Sequence, residues 1–472
     1  MSHQTNNSGA GSMDGAGSPR QRWYQGMSSY HWWVLFIGAL AWTLDTMAQR
    51  IFVLARAPAL GDLTSLDQTA ALVRTYGNYA TAAMMIGWAV GGFYFGVVGD
   101  KWGRAKTLSM SVLIYSLFTG LSGFSVYWWD FCLWRFLMGC GIGGAFATAA
   151  TLIAETLPSH SRPFALGMFQ ALSAVGNITA SALAWTLVLP ESSYLKGLCT
   201  DGYLRGLFPN GIPGWRLLFF LGAVPAVLVF FIMKTIKEPE TWLAARQNAQ
   251  DKLHKQMGDI RSMFTDPRWR RNTLAGVALA SAGVVGLWGV GFWSPELINE
   301  AFKGSGLTRE KIGTVKALGT LLQDVGAFFG MFVFTILATR FGRKISFGAS
   351  FAVALIVVAA VFLTLRQEWQ VYVLLPLVGF VTLSVFGGYS IYFPEIYPTR
   401  LRSSGTAFCY NAARVLTAAI LLFSNLLTDF LRNVGVVEVF RWGAVVLCGF
   451  YLLGLLALIW APETKDRPLP ED

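Results

Sequence analysis

Charge is what this chain has least of. Acidic and basic side chains make up 13% of 472 residues, against about 25% in a soluble domain, which excludes an ordinary soluble enzyme. Histidine is scarce too, with only His3, His31, His160 and His254, none in the core of an apolar run. HExxH, GxSxG and Walker A patterns are missing, so zinc hydrolysis, serine hydrolysis and nucleotide hydrolysis have no carrier. The five cysteines (Cys132, Cys140, Cys199, Cys409, Cys448) contain no CxxC pair, which leaves no disulfide framework and no zinc site. No metal or cofactor is expected. Stretches outside the apolar runs are short, about 22 residues before Trp23, about ten after Ala461 and the segment 235–271. None is large enough for a signalling domain, which argues against a membrane sensor.

What is present is apolar surface: 54% of the chain, with a mean hydropathy of +0.49. A membrane-spanning helix uses about 20 apolar residues. Runs bounded by charge or turn residues predict twelve spans, near 33–55, 79–98, 107–126, 132–154, 164–189, 215–234, 273–295, 313–338, 345–365, 371–394, 404–428 and 440–460. Residues 1–22, rich in Gly, Ser and Asn, read as a disordered tail. Glycine clusters such as Gly139, Gly141, Gly143 and Gly144 suit close helix contact in lipid; no Lys-Ser/Thr follows to make them a phosphate loop.

The net charge of +11 would suggest nucleic acid in a soluble protein, but here its location decides. With twelve spans, 22 of the 37 basic residues fall on the side holding both termini and three (Arg50, Arg135, Arg414) inside spans. The excess places both termini in the cytoplasm, with the lipid bilayer, not nucleic acid, as partner.

The segment 235–271 divides the chain into expected halves, 23–234 and 272–461, with a short tail at 462–472. An internal repeat supports the division. Gly96-Val-Val-Gly-Asp100-Lys101-Trp-Gly103-Arg104 recurs 239 residues on as Thr335-Ile-Leu-Ala-Thr339-Arg340-Phe-Gly342-Arg343, and Glu155-x-x-Pro158-x-x-x-Arg162 recurs 240 residues on as Glu395-x-x-Pro398-x-x-x-Arg402. Two motifs at nearly one offset make chance a poor explanation.

The Gly96–Lys106 segment resembles the signature loop between the second and third spans of the major facilitator superfamily. The resemblance covers the chain from about residue 30. It implies an all-α membrane protein with twelve transmembrane helices in two pseudo-symmetric six-helix bundles, normally a monomer. It also implies a gating role for Gly96, Asp100, Gly103 and Arg104, and for Glu155, Arg162, Arg343, Glu395 and Arg402, as ion pairs between the halves that break as the inner side opens. Thr339 stands where the first repeat has Asp100, so the second network is expected to lack one anion. Lys237-Glu238-Pro239-Glu240 and Ala461-Pro462-Glu463-Thr464-Lys465 are similar to sugar porters. Pro398-Thr-Arg400-Leu-Arg402-Ser-Ser-Gly405, continuing through Tyr410-Asn411-Ala-Ala-Arg414, resembles bacterial metabolite:proton symporters, the sialate, monocarboxylate and aromatic-acid carriers. In the first span those carriers usually have LDGxD; here Leu44-Asp45-Thr-Met-Ala48 keeps only the first acid.

An ionisable group in the bilayer centre costs at least about 2.5–3.5 kcal/mol, so each one inside a span is a functional candidate. Asp45 and Asp324 lie about midway along the first and eighth spans, and desolvation there suits a group that takes up and releases a proton. Either is a candidate for proton coupling. Asp45 and Arg50, five positions apart, are poorly aligned for a pair on one helix. Arg414, with Arg50, is the candidate for capture of a carboxylate, since a guanidinium offers a planar fork. Arg135 opens the fourth span and reads as an anchor. Gln170 stands eight residues after Arg162, where sugar porters place a sugar-binding Gln, yet the seventh span lacks their paired Gln. That span offers Trp288, Phe292 and Trp293 instead, while Tyr389, Tyr392 and Asn411 supply neutral hydrogen-bonding groups. The expectation is a secondary transporter of the inner membrane, moving a small organic anion with protons. A sugar:proton symporter is the alternative, and drug export ranks below both.

Overall fold

A computed structural model describes residues 22–67, 71–188, 212–251, 256–290, 293–303, 305–422 and 424–471. The expected disordered tail, Cys199 and Phe292 lie outside the described residues. Among these, regular structure is helical throughout. In chain order the helices are α1 (Ser29–Thr64), α2 (Ala71–Trp102), α3 (Arg104–Leu121), α4 (Trp128–Thr156), α5 (Arg162–Ala171), α6 (Ser173–Val188), α7 (Gly214–Leu221), α8 (Ala226–Thr235), α9 (Glu240–Asp251) and α10 (Ile260–Thr265). They continue as α11 (Pro267–Val284), α12 (Ser294–Ala301), α13 (Arg309–Phe341), α14 (Arg343–Thr364), α15 (Glu368–Glu395), α16 (Arg402–Leu422), α17 (Ser424–Asn433), α18 (Val439–Cys448) and α19 (Phe450–Ala457).

Local chemistry sets several starts. Ser28 and His31 close a reciprocal capping box at α1, Asp266 caps α11 with Pro267 in its first turn, and Thr308 caps α13. Gly103 and Gly342 sit between α2 and α3 and between α13 and α14 with φ of +115° and +98°. Only glycine takes that backbone freely, so the repeated Gly-Arg dipeptide makes the same sharp turn twice.

Among the described residues, nine helices, three of them (α5–α6, α7–α8 and α18–α19) running through a short break, are long and apolar enough to cross a membrane. The expected spans outside that set are the first, seventh and eleventh. Helix α1 carries Asp45, Gln49 and Arg50, α16 carries Asn411 and Arg414, and beyond α11 the seventh changes to a π-helical turn over Val285–Val290. The polarity that sets these segments apart marks where the site lies.

Helices α1–α8 pack mostly on one another, as do α11–α19, while α2 and α4 meet α16, and α5 meets α13 and α15. Glycines bring backbones together: Gly139 and Gly143 of α4 lie directly against the α2 backbone at Met84, Trp88 and Gly92. Across the seam, a Cβ on Gly96 would stand 2.7 Å from Ala407, and Gly167 leaves no room for a side chain beside Thr335.

Candidate functional site

Four helices bring a polar and aromatic cluster to the centre. Asp45 and Gln49 share a face of α1, one turn apart, and Gln49 Nε2 donates to Asp45 Oδ2 at 3.2 Å. Asp45 is fully buried, its Oδ1 has no hydrogen-bond partner, and the cation whose field reaches it is Arg414 of α16. The Arg414 guanidinium is stacked between the Trp88 and Tyr410 rings, 3.8 Å from each centroid. Its Nη1 donates to the Tyr410 carbonyl at 3.2 Å and to Asn411 Oδ1 at 3.3 Å, whereas its Nε is buried and unbonded. The Trp42 and Trp88 indole N–H groups and Gln170 Oε1 are also buried without partners. Buried polar groups are normally satisfied, so these unused donors and acceptors make the cluster the candidate site for a ligand. Trp288, on the π-helical turn, meets Trp88 edge-on at 6.0 Å.

A second acid–base pair spans the same seam. Arg50 Nη2 and Asp324 Oδ2 are 3.3 Å apart, joining α1 to α13. The two candidate roles, carboxylate capture by Arg50 and proton transfer by Asp324, are therefore tied to each other.

At the end of the molecule holding the basic loops, Glu155 is the hub. Its carboxylate receives Arg104 Nε and Nη2, each at 2.9 Å, and Arg402 Nη1 at 2.7 Å. Asp100 sits at the start of α16, accepting from the Ser403 and Ser404 N–H groups at 3.0 and 2.9 Å and from Ser404 Oγ at 2.6 Å. The arrangement is that of a carboxylate at a positive helix N-terminus. Arg104 Nη2 reaches the Thr399 carbonyl at 2.7 Å, and Trp242 Nε1 of α9 donates to the Asp100 carbonyl at 2.7 Å. Glu238 accepts from the N–H groups opening α3, and Glu463 from those opening α14. Burial alone would lift the Glu463 carboxyl, but the backbone N–H groups of Arg343, Lys344, Lys465 and Thr464 outweigh it and hold the group below the usual carboxylate range.

Several expectations need correction. Arg104–Glu155 and Arg343–Glu395 (2.8 Å) join residues of one half; among the described residues at the basic end, Arg402–Glu155 is the ion pair that joins the two halves. Arg162 makes no close ion pair among the described residues: Glu395 and Glu155 act on it only at longer range, and its Nη2 donates to the Leu157 carbonyl at 3.4 Å. The Tyr389 hydroxyl is committed within the protein: the residue is fully buried, the hydroxyl donates to the Leu279 carbonyl at 2.6 Å, and the ring stacks on Phe393. The Tyr392 hydroxyl likewise goes to the Pro462 carbonyl and Trp293 packs on Phe440. Thr339 bonds only within its helix, so the anion absent from the second repeat leaves that side without a counterpart to the Asp100 contact. Arg135 lies among the Phe52, Phe131 and Phe219 rings and donates to Ser122 and the Phe118 carbonyl, an anchor within the helix bundle.

Trp42, Gln49 and Trp88 in the centre and Trp242 at the basic end were not singled out from the sequence, and Tyr410, Ser403 and Ser404 stood within the Pro398–Arg414 segment without a role of their own. Gln49 has a legible signal, one turn from Asp45 on a helix. An aromatic residue inside an apolar run has none.

Helices joined across a central seam, charged groups buried at its middle and a network of ion pairs at one end define a multi-pass membrane transporter of the major facilitator fold, not an enzyme. The chain belongs to the sugar (and other) transporter family, whose model matches residues 36–471. It is 26% identical over 455 residues to a probable 4-methylmuconolactone transporter of Cupriavidus pinatubonensis, covering 95% of this chain and 92% of that protein. It is 25% identical over 394 residues to the cis,cis-muconate transport protein of Acinetobacter baylyi, covering 81% and 84%. Among solved structures it is similar in fold to the proton:xylose symporter XylE, with a TM-score of 0.70 and 20% identity over 93% of this chain and 98% of that one.

Proposed function

We propose that this transporter carries a small organic carboxylate together with protons across the bacterial inner membrane, with both termini cytoplasmic. Two six-helix bundles, 23–234 and 272–461, would rock about the central site as a monomer, with 235–271 as the cytoplasmic connection. The observation that carries the reading is the Arg414 guanidinium, held between two aromatic rings with Nε unbonded, beside a buried Asp45 whose Oδ1 is also unbonded. A fixed guanidinium suits bidentate capture of a carboxylate. An incoming anion gives Arg414 a second counter-charge, and a proton on Asp45 restores the balance. Arg50 and Asp324 form a second such pair. The relatives named for muconate and methylmuconolactone transport support an acidic or lactone-type substrate. Gln170 Oε1, buried and unpartnered, favours one second reading, a sugar:proton symporter. Uptake of radiolabelled lactate, sialate, benzoate and glucose into proteoliposomes, with the outside acidified, separates the two. Gradient-dependent entry of a carboxylate supports the proposal; entry of glucose alone, abolished by Gln170→Ala, supports the second reading.

A further inference from the structure

Away from the central site and the gate, the basic end holds a cavity of about 930 Å3 between the start of α11, the end of α15 and the chain that follows α19. Arg268, Arg271 and Arg467 line it. Arg268 lies over the Trp269 ring at 4.5 Å and Arg271 Nε donates to the Trp460 carbonyl at 2.8 Å. Among the described residues, no carboxylate pairs with any of the three. Two carboxylates in the wall are already committed: Glu395 to Arg343 and Thr464 Oγ1, and Glu463 to the backbone N–H groups that open α14. The third, Glu471, is exposed. With Glu395 offset by Arg343, the wall holds three exposed arginines against Glu463 and Glu471, an excess of one positive charge. The matching seam at the start of α1 differs: Tyr30 Oη accepts from the Lys237 N–H at 2.9 Å and Trp33 Nε1 donates to Thr235 Oγ1 at 2.7 Å. Aromatic side chains bridge that seam where arginines line this one.

We propose that this cavity binds a phosphate ester anion. Guanidinium forks match phosphate oxygens in geometry as well as charge, and basic pockets between membrane helices take lipid phosphates in this way. The volume exceeds that of a phosphate and leaves room for the group esterified to it. Two sources share this chemistry, an anionic lipid headgroup and a soluble phosphate ester.

The test titrates the purified full-length protein, in neutral detergent, with short-chain phosphatidylglycerol, short-chain phosphatidylcholine and glycerol 3-phosphate, reading thermal unfolding and native mass spectra. At least one anionic probe is expected to bind, with phosphatidylcholine weaker. Arg467→Gln, on the exposed tail, is expected to weaken binding about tenfold and the triple variant R268Q/R271Q/R467Q about a hundredfold or more. Binding of phosphatidylglycerol alone assigns a lipid; binding of glycerol 3-phosphate, or its displacement of the lipid, assigns a soluble ester. Failure of both anionic probes, equal binding of phosphatidylcholine, or unchanged affinity in Arg467→Gln overturns the proposal, whether or not the triple variant folds.

Discussion

Replacing Glu155 by Gln should open the basic end. The Arg104–Glu155 pair lies within one repeat and stays together when the halves part, so the contact at stake is Arg402 Nη1 to Glu155 Oε1 at 2.7 Å. Both side chains are out of solvent, at 1% and 0% exposure. A hydrogen bond to a charged group contributes about 1.5–3 kcal/mol net, which corresponds to about 10- to 150-fold in an equilibrium constant. The Asp100 contacts with Ser403 and Ser404 remain, so the closed form is weakened and not abolished. The assay is pulsed electron-spin distance measurement between labels at Lys106→Cys and Arg340→Cys, both exposed at the basic end, in a background with the native cysteines replaced. Glu155→Gln should raise the ratio of long to short distances by that factor. An unchanged distribution would refute the claim that this pair holds the end shut.

Three further outcomes follow from the same geometry. Gly167→Ala forces a methyl against Thr335 across the seam, and overpacking of about 1–3 kcal/mol should also favour the open form in the spin-label assay, while Gly313→Ala, with open space around it, leaves the ratio unchanged. Trp88→Ala removes one face of the Arg414 sandwich, each face contributing about 0.5–2 kcal/mol; KM for the carboxylate should rise about 3- to 30-fold, with Trp88→Phe recovering most of it. The Glu463 carboxyl is held below its usual range when folded, so its contribution is present above the unfolded value near 4.5 and is lost as pH falls through the lower, folded value. Hydrogen exchange at the Arg343 and Lys344 amides should therefore be faster in Glu463→Gln than in the wild type at pH 7, with the difference shrinking in acid; a gap independent of pH would count against the carboxylate.

The ion-pair network at the basic end was largely readable because its signals are local: a glycine forced to positive φ, an acid and an arginine repeated at one offset. What could not be read was the partner of each charge. Arg104, Arg343 and Glu395 look alike in the two repeats, yet whether a pair crosses the seam depends on helix packing hundreds of residues apart, as with Glu155 and Arg402. In the centre, depth along a helix was legible for Asp45, Asp324 and Arg414 because a charge in an apolar run is conspicuous. Facing was not. Tyr389 lies at a suitable depth but points at the Leu279 carbonyl, while Trp88, one face of the Arg414 sandwich, is indistinguishable in sequence from aromatic residues that fill a core or face lipid.

The most direct test compares accumulation driven by a pH gradient with substrate counterflow in proteoliposomes for the wild type, Asp45→Asn and Arg414→Ala, using the carboxylate that the wild type takes up. Counterflow needs binding and alternation but no net proton movement. Asp45→Asn should exchange substrate yet fail to accumulate it, and Arg414→Ala should do neither. Accumulation by Asp45→Asn at the wild-type level, or exchange by Arg414→Ala with unchanged affinity, would contradict the assignment of proton and carboxylate to these two residues.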